Sequence, residues 1–130
     1  MIKGVVKNPD LKLIAALDVK NVGADIGELA GLGYIGIPVI ERLNEVIWQD
    51  LDVIIDFTNA KASFELIKTA ISKNVSVVSG TTGFTPEEKE EIRLLAEEKR
   101  LGIVLAPNFA LGAVLMLKFC KELANWFSEA

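Results

Sequence analysis

Three short apolar runs, each running into a small polar loop, constrain this chain more than any other feature. They are residues 52–57, "DVIIDF", residues 75–80, "VSVVSG", and residues 102–108, "GIVLAPN". Helix-length segments separate them. The first, residues 60–73, repeats Ala60, Phe64, Ile67 and Ile71 at helical spacing. The second opens on Thr85-Pro86-Glu87-Glu88, a Thr cap with Pro at the first position and Glu at the third, which is a capping box. Strand alternating with helix in this way builds a parallel sheet with right-handed crossovers. The "DVIIDF" run is nearly continuous in β-branched residues, which predicts a buried parallel strand. Thr58 and Asn59 then supply helix caps, Asn74 ends that helix, and Gly102 is expected to end the next.

The flanks are less regular. "LKLIAAL", residues 11–17, predicts a strand ending at Asp18. A Gly-rich loop follows, with a helical turn near Ile26 to Leu29 and a short strand near Pro38. "NEVIWQD" predicts a brief helix, and residues 110–126 a long apolar one. The opening "MIKGVVKNPD" reads as the tail of a helix stopped by Asn8-Pro9. The expected fold is therefore α/β, a Rossmann-like doubly wound parallel sheet occupying residues 1–130 as one partial domain.

Composition closes off several functions. Half of the residues (51%) are apolar and a quarter (25%) charged, which is a globular balance. A net charge of −4 argues against nucleic acid, because backbone binding needs a basic face. There is no histidine, which removes the Ser-His-Asp arrangement and the usual metal clusters. One cysteine, Cys120, forms no internal disulfide and suits a reducing compartment; in an apolar helix it reads as a buried, inert thiol. No apolar run reaches membrane-spanning length. A cytoplasmic protein that binds no membrane is expected.

Ligands of open parallel sheets bind beyond the carboxyl ends of the strands. Asp18, Phe57-Thr58, Gly80-Thr81-Thr82-Gly83 and Ala106-Pro107-Asn108-Phe109 all fall at such ends. Asp18 is either an acceptor for ribose hydroxyls or a plain loop acid. Gly80 and Gly83 either let backbone approach a flat ring, with Thr81 and Thr82 offering polar groups, or form an ordinary strand-to-helix turn capped by Thr85. Asn108 presents donor and acceptor to a carboxamide, or is a turn residue after Pro107. Phe109 either lines a site or packs, and Trp126 and Phe127 read as packing residues. "GLGYIG", residues 31–36, has the glycines of a phosphate loop but neither the strand before nor the helix after it, and reads as a loop. The charged run 87–100 reads as a solvated helix face.

These motifs resemble those of a known family. "DFT", "GTTGF" and "APNFALG", in this order and spacing, resemble the dihydrodipicolinate reductase (4-hydroxy-tetrahydrodipicolinate reductase) family, as does the loop "NVGADIGELAGLGYIGIPV". The resemblance implies a nucleotide-binding Rossmann domain, a separate substrate and tetramerisation domain, and a homo-oligomer. It implies hydride transfer from NADH or NADPH to a cyclic dipicolinate precursor in lysine and diaminopimelate synthesis. Asp18 then matches the acid at the adenosine ribose. Gly80, Thr81 and Thr82 match one loop at the nicotinamide end, and Ala106, Pro107, Asn108 and Phe109 match the other.

The family pattern is not complete in these residues. Its first strand and G-x-x-G-x-x-G loop have no counterpart, and neither do its paired histidines, its lysine and its K-D-A-P-S-G-T stretch. The expectation is a cofactor-contacting piece with no catalytic residue of its own and no metal. It would meet the small-molecule substrate only in a complete parent. The rival is a non-catalytic relative that serves as an oligomerising or binding module through its apolar terminal segments. A homoserine or aspartate-semialdehyde dehydrogenase relative fits less well, since "GTTGF" with "PNF" is not their pattern.

Overall fold

A computed structural model describes residues 1–127. They divide into two compact units, Met1–Leu51 and the chain from Asp52 onward. In the first unit, helix α1 (Ile2–Lys7) stops at Asn8, as the Asn-Pro pair predicts. Strand β1 (Ala16–Leu17) pairs in parallel with β2 (Val39–Ile40). The helical turn α2 (Ile26–Leu29) lies between them in sequence. "GLGYIG" follows α2, not a strand, and leads into β2, not a helix, so it is a connecting loop as read. "NEVIWQD" forms two 3₁₀ turns, Leu43–Glu45 and Trp48–Asp50, in place of one helix.

The second unit is built from β3 (Val53–Asp56), α3 (Ala60–Ser72), β4 (Ser76–Ser79), α4 (Pro86–Lys99), β5 (Ile103–Leu105) and α5 (Leu111–Trp126). The three strands are parallel and adjacent in chain order. Successive right-handed crossovers that step in one direction place α3 and α4 on the same face of the sheet. The burial pattern agrees. Asp56, Val77 and Ser79 point to the covered face and are buried, while Val53, Ile55 and Val104 point the other way and are exposed. The expectation of a buried β3 thus holds for one face only. Apolar content alone does not say which side a neighbouring layer covers.

Both helix starts form as their residues dictate. The Asn59 side chain accepts from Ala62 N–H at 3.1 Å. Thr85 and Glu88 exchange the reciprocal bonds of a capping box, at 3.2 and 2.8 Å. Helix α3 buries Leu66, Ile67, Ala70 and Ile71, and α4 buries Ile92 and Ala96. Outside them, Lys68 meets Glu91 across α3 and α4 at 2.7 Å, and Arg93 is held by Glu90 and Glu97 along α4. These pairs are half exposed and add little stability.

Three expectations are corrected here. Helix α4 ends not at Gly102 but at Arg100, which takes the left-handed conformation itself at φ 54°. Cys120 is exposed, not buried. Trp126 and Phe127, read as packing, are 84% and 66% exposed. The last two share a cause: α5 buries none of its residues. An apolar side chain is buried only where a second surface meets it.

Candidate functional site

The second unit draws three strand ends together. Beyond β4, Gly80 N–H donates to Asp56 O at 2.9 Å. Beyond β5, Ala106 N–H donates to Ser79 O at 3.0 Å. These two bonds extend the ladder past the last strand residues, so the loops leave the sheet side by side. Phe57 follows β3, and Phe109 follows β5. Their rings are tilted by 53° with centroids 5.7 Å apart, and both are about half exposed. Such tilted pairs suit the aromatic quadrupole.

Gly80 is required here for a reason that the sequence does not display. A Cβ at Gly80 would stand 2.3 Å from the Phe57 ring. The flat ring that meets Gly80 is therefore that of Phe57. Gly83, at φ 95°, lets the loop turn back toward the Thr85 cap. Thr82 and Gly83 are exposed, but Thr81 is buried. The Thr81 amide donates to Ser79 Oγ at 3.1 Å and its hydroxyl to Asp56 Oδ2 at 3.0 Å. The two threonines thus face opposite ways, and Thr82 is the one that turns to solvent. Pro107 and Asn108 are exposed, and Ala106 is half-buried. The Asn108 side-chain oxygen accepts from Ala110 N–H at 2.8 Å. Part of its acceptor capacity is already used in the turn that precedes the last helix.

Asp56 is the residue that sequence reasoning passed over. Only 2% exposed, it ends β3 on the covered face. Oδ1 accepts from Thr58 N–H and Oγ1, at 3.1 and 2.7 Å. Oδ2 accepts from the Ser63 hydroxyl, from Ser79 Oγ at 2.6 Å and from Thr81 Oγ1. Burial pushes this carboxyl up, but the Ser63, Ser79, Thr58 and Thr81 hydroxyls outweigh it and hold the group below its ordinary value. The sequence signal was a charge at the end of an otherwise apolar run, with serines on the following helix and strand.

In the first unit, Asp18 stands just past β1 and is exposed. Its N–H donates to Ile40 O, and its Oδ1 accepts from Lys20 N–H at 3.0 Å. The chain therefore turns at Asp18, and Lys20 belongs to that turn, not to a continuing strand. A second buried acid, Asp25, also went unread. It caps α2 by accepting from Gly27 and Glu28, and reaches the loop beyond through Ile35 N–H at 3.1 Å and Ile37 N–H at 2.9 Å. The pattern Asp-x-x-Glu ahead of "LAGLG" was its only trace in the sequence.

Parallel strands with crossover helices, and small polar loops gathered at their carboxyl ends, define a Rossmann-like α/β protein. A family model described as dihydrodipicolinate reductase, N-terminus, matches residues 1–109. The chain belongs to that family. The 4-hydroxy-tetrahydrodipicolinate reductase of Listeria monocytogenes is 39% identical over 128 residues, which are 98% of this chain and 49% of the relative. That of Moorella thermoacetica is 40% identical over 131 residues, with 100% and 49% covered. Among solved structures, a dipicolinate-bound dihydrodipicolinate reductase from Paenisporosarcina sp. TG-14 matches with a TM-score of 0.77 at 37% identity. It covers 97% of this chain and 48% of that one. The chain thus spans about half the length of the relatives it matches.

Proposed function

We propose that this chain is the nicotinamide-cofactor-binding part of a 4-hydroxy-tetrahydrodipicolinate reductase, an oxidoreductase that reduces a cyclic dipicolinate precursor with NADH or NADPH. The observation that carries the proposal is the gathering of Gly80, Thr82, Ala106, Pro107, Asn108 and Phe109 at the carboxyl ends of three adjacent parallel strands. There the half-exposed Phe57 and Phe109 rings form an apolar wall fit for a planar ring. Thr81 supports this loop from beneath. Asp18, at the end of β1, is the acceptor for the adenosine ribose. Among the described residues, no helix is long and apolar enough to cross a membrane. With a single cysteine, the chain suits a reducing cytoplasm.

Cofactor choice tests the Asp18 assignment. An acid at this position favours a free ribose 2′-hydroxyl, and a base beside it is needed to welcome a 2′-phosphate. Val19 carries no charge, and Lys20, the nearest base, lies in the turn that its backbone amide closes onto Asp18, which leaves its ammonium within reach of a phosphate. NADH is expected to serve at least as well as NADPH. The measurement is kcat/KM for both cofactors in a complete reductase containing this chain, repeated with Asp18→Ala and Lys20→Ala. A preference for NADPH of about tenfold, ~1.4 kcal/mol, that Lys20→Ala abolishes would show that Lys20 reads the phosphate.

One observation favours a second reading, an oligomerising module. Helix α5 exposes Leu115, Met116, Leu117, Phe119, Leu123 and Trp126, and the open sheet face exposes Val53, Ile55 and Val104. Apolar surface of this extent marks an interaction site on a soluble chain. A dimer or larger homo-oligomer is expected by light scattering. A monodisperse monomer at high concentration counts against it.

A further inference from the structure

The buried carboxylate of Asp56 lies under the loop that the proposed function places beside the cofactor, and this inference rests on that reading. We propose that Asp56 is a positioning residue: through the Thr81 hydroxyl it holds loop 80–83 in the conformation that a ligand meets. Four hydroxyls converge on the one carboxylate, from the turn after β3 (Thr58), from α3 (Ser63), from β4 (Ser79) and from the loop itself (Thr81). None of the salt bridges found among the described residues involves Asp56. Its charge is balanced by oriented hydroxyl dipoles instead.

That choice has a geometric consequence. An ionised carboxylate only accepts, so each hydroxyl proton is turned toward it. Thr81 Oγ1 is thereby aimed inward, and the Thr81 amide is aimed at Ser79 Oγ. With both polar groups fixed, the backbone on either side of Thr81 has little freedom to rotate. Gly80 is held from one side by the Phe57 ring and Thr82 is turned outward. A loop with a glycine at each end would otherwise sample many conformations, and ordering it on binding would cost affinity. Ser63 serves the same carboxylate and meets Ser79 Oγ at 3.1 Å, but makes no hydrogen bond to the loop itself. It joins α3 to the sheet, which separates the structural share of the network from the positioning share.

Amide hydrogen exchange on the chain reads this directly, with Val77 at the sheet centre as the internal reference. Asp56→Asn and Thr81→Val are expected to speed exchange at the two hydrogen-bonded loop amides, those of Gly80 and residue 81, by about tenfold relative to Val77. Thr81→Ser, which keeps the hydroxyl, is expected to stay within about threefold of the parent. Ser63→Ala is expected to lower the unfolding midpoint and leave that ratio unchanged. Titration of the same proteins with NADH is expected to show affinity falling in step with loop protection. Unchanged exchange at Gly80 and residue 81 in Thr81→Val overturns the proposal, as does a Ser63→Ala ratio that matches it. Where Thr81→Val does not fold, Asp56→Asn decides by the same ratio. If the parent chain binds no NADH but loop exchange responds as expected, the cofactor reading alone falls and Asp56 stands as the loop's anchor.

Discussion

No measurable reduction of the dipicolinate precursor is expected from these 130 residues alone. In the proposed reading these residues hold and orient the cofactor. In the family resemblance, the proton donor and the groups that grip the substrate carboxylates belong to the half of the reductase that this chain does not span. A positioned general acid contributes about 10²- to 10⁴-fold, and holding two reactants in register contributes about 7–11 kcal/mol more. A chain without either should fall below detection, whether or not it binds NADH. The assay is NADH oxidation at saturating precursor, with the purified chain compared with a complete reductase that contains it. Turnover that survives removal of every trace of host reductase would mean that a proton donor lies within these residues, and the proposed division of labour would be wrong.

Asp25→Ala is expected to dissolve the local order of the first unit. One carboxylate there serves four backbone donors, from Gly27 and Glu28 at the start of α2 and from Ile35 and Ile37 ten and twelve residues away from it. No hydrophobic cluster of comparable reach is available, because Val39 is the only buried hydrophobic residue of this unit. Each of the four amides should exchange about tenfold faster or more in Asp25→Ala, since a hydrogen bond to a charged acceptor is among the stronger ones. Asp25→Asn should be intermediate, as it keeps one acceptor oxygen. The same group fixes an acid limit. Burial pushes its carboxyl up, but the bonds from Ile35, Glu28, Ile37 and Gly27 together hold it below its ordinary value. The stability it adds is therefore whole above the unfolded carboxyl pKa of about 3.9. It is lost as the pH falls through the lower folded value. Asp56 has the same sign. Acid unfolding of the parent should begin below about pH 4, and Asp25→Asn should flatten that dependence. An unfolding curve as steep in Asp25→Asn as in the parent, with the four amides still protected, would remove Asp25 from this role.

Short-range patterns carried a large part of the structure. The apolar runs placed β3, β4 and β5, and their parallel order followed from the helices between them. Asn59 and Thr85 marked two helix starts because a cap is made with a backbone amide only two or three residues away. The loops at the candidate site were legible for the same reason: Gly, Thr, Pro and Asn at a strand end already state a backbone requirement.

What the chain could not disclose by itself is which groups meet across distance. Asp56 looked like the close of an apolar run, and only the pairing of β3 with β4 and the docking of α3 bring Ser63, Ser79 and Thr81 to it. Gly80 looked like freedom for a ligand, yet the crossover places the Phe57 ring against it. Thr81 and Thr82 looked alike, and the sheet turned one inward and the other out. Arg100 took a left-handed cap that a glycine was expected to hold, and Cys120 was exposed on a helix whose sequence promised burial. Local sequence determines the periodicity and the caps because those interactions close within a turn or two. Burial, side-chain networks and the facing of a loop depend on contacts between segments far apart in the chain, and these exist only once the sheet has formed.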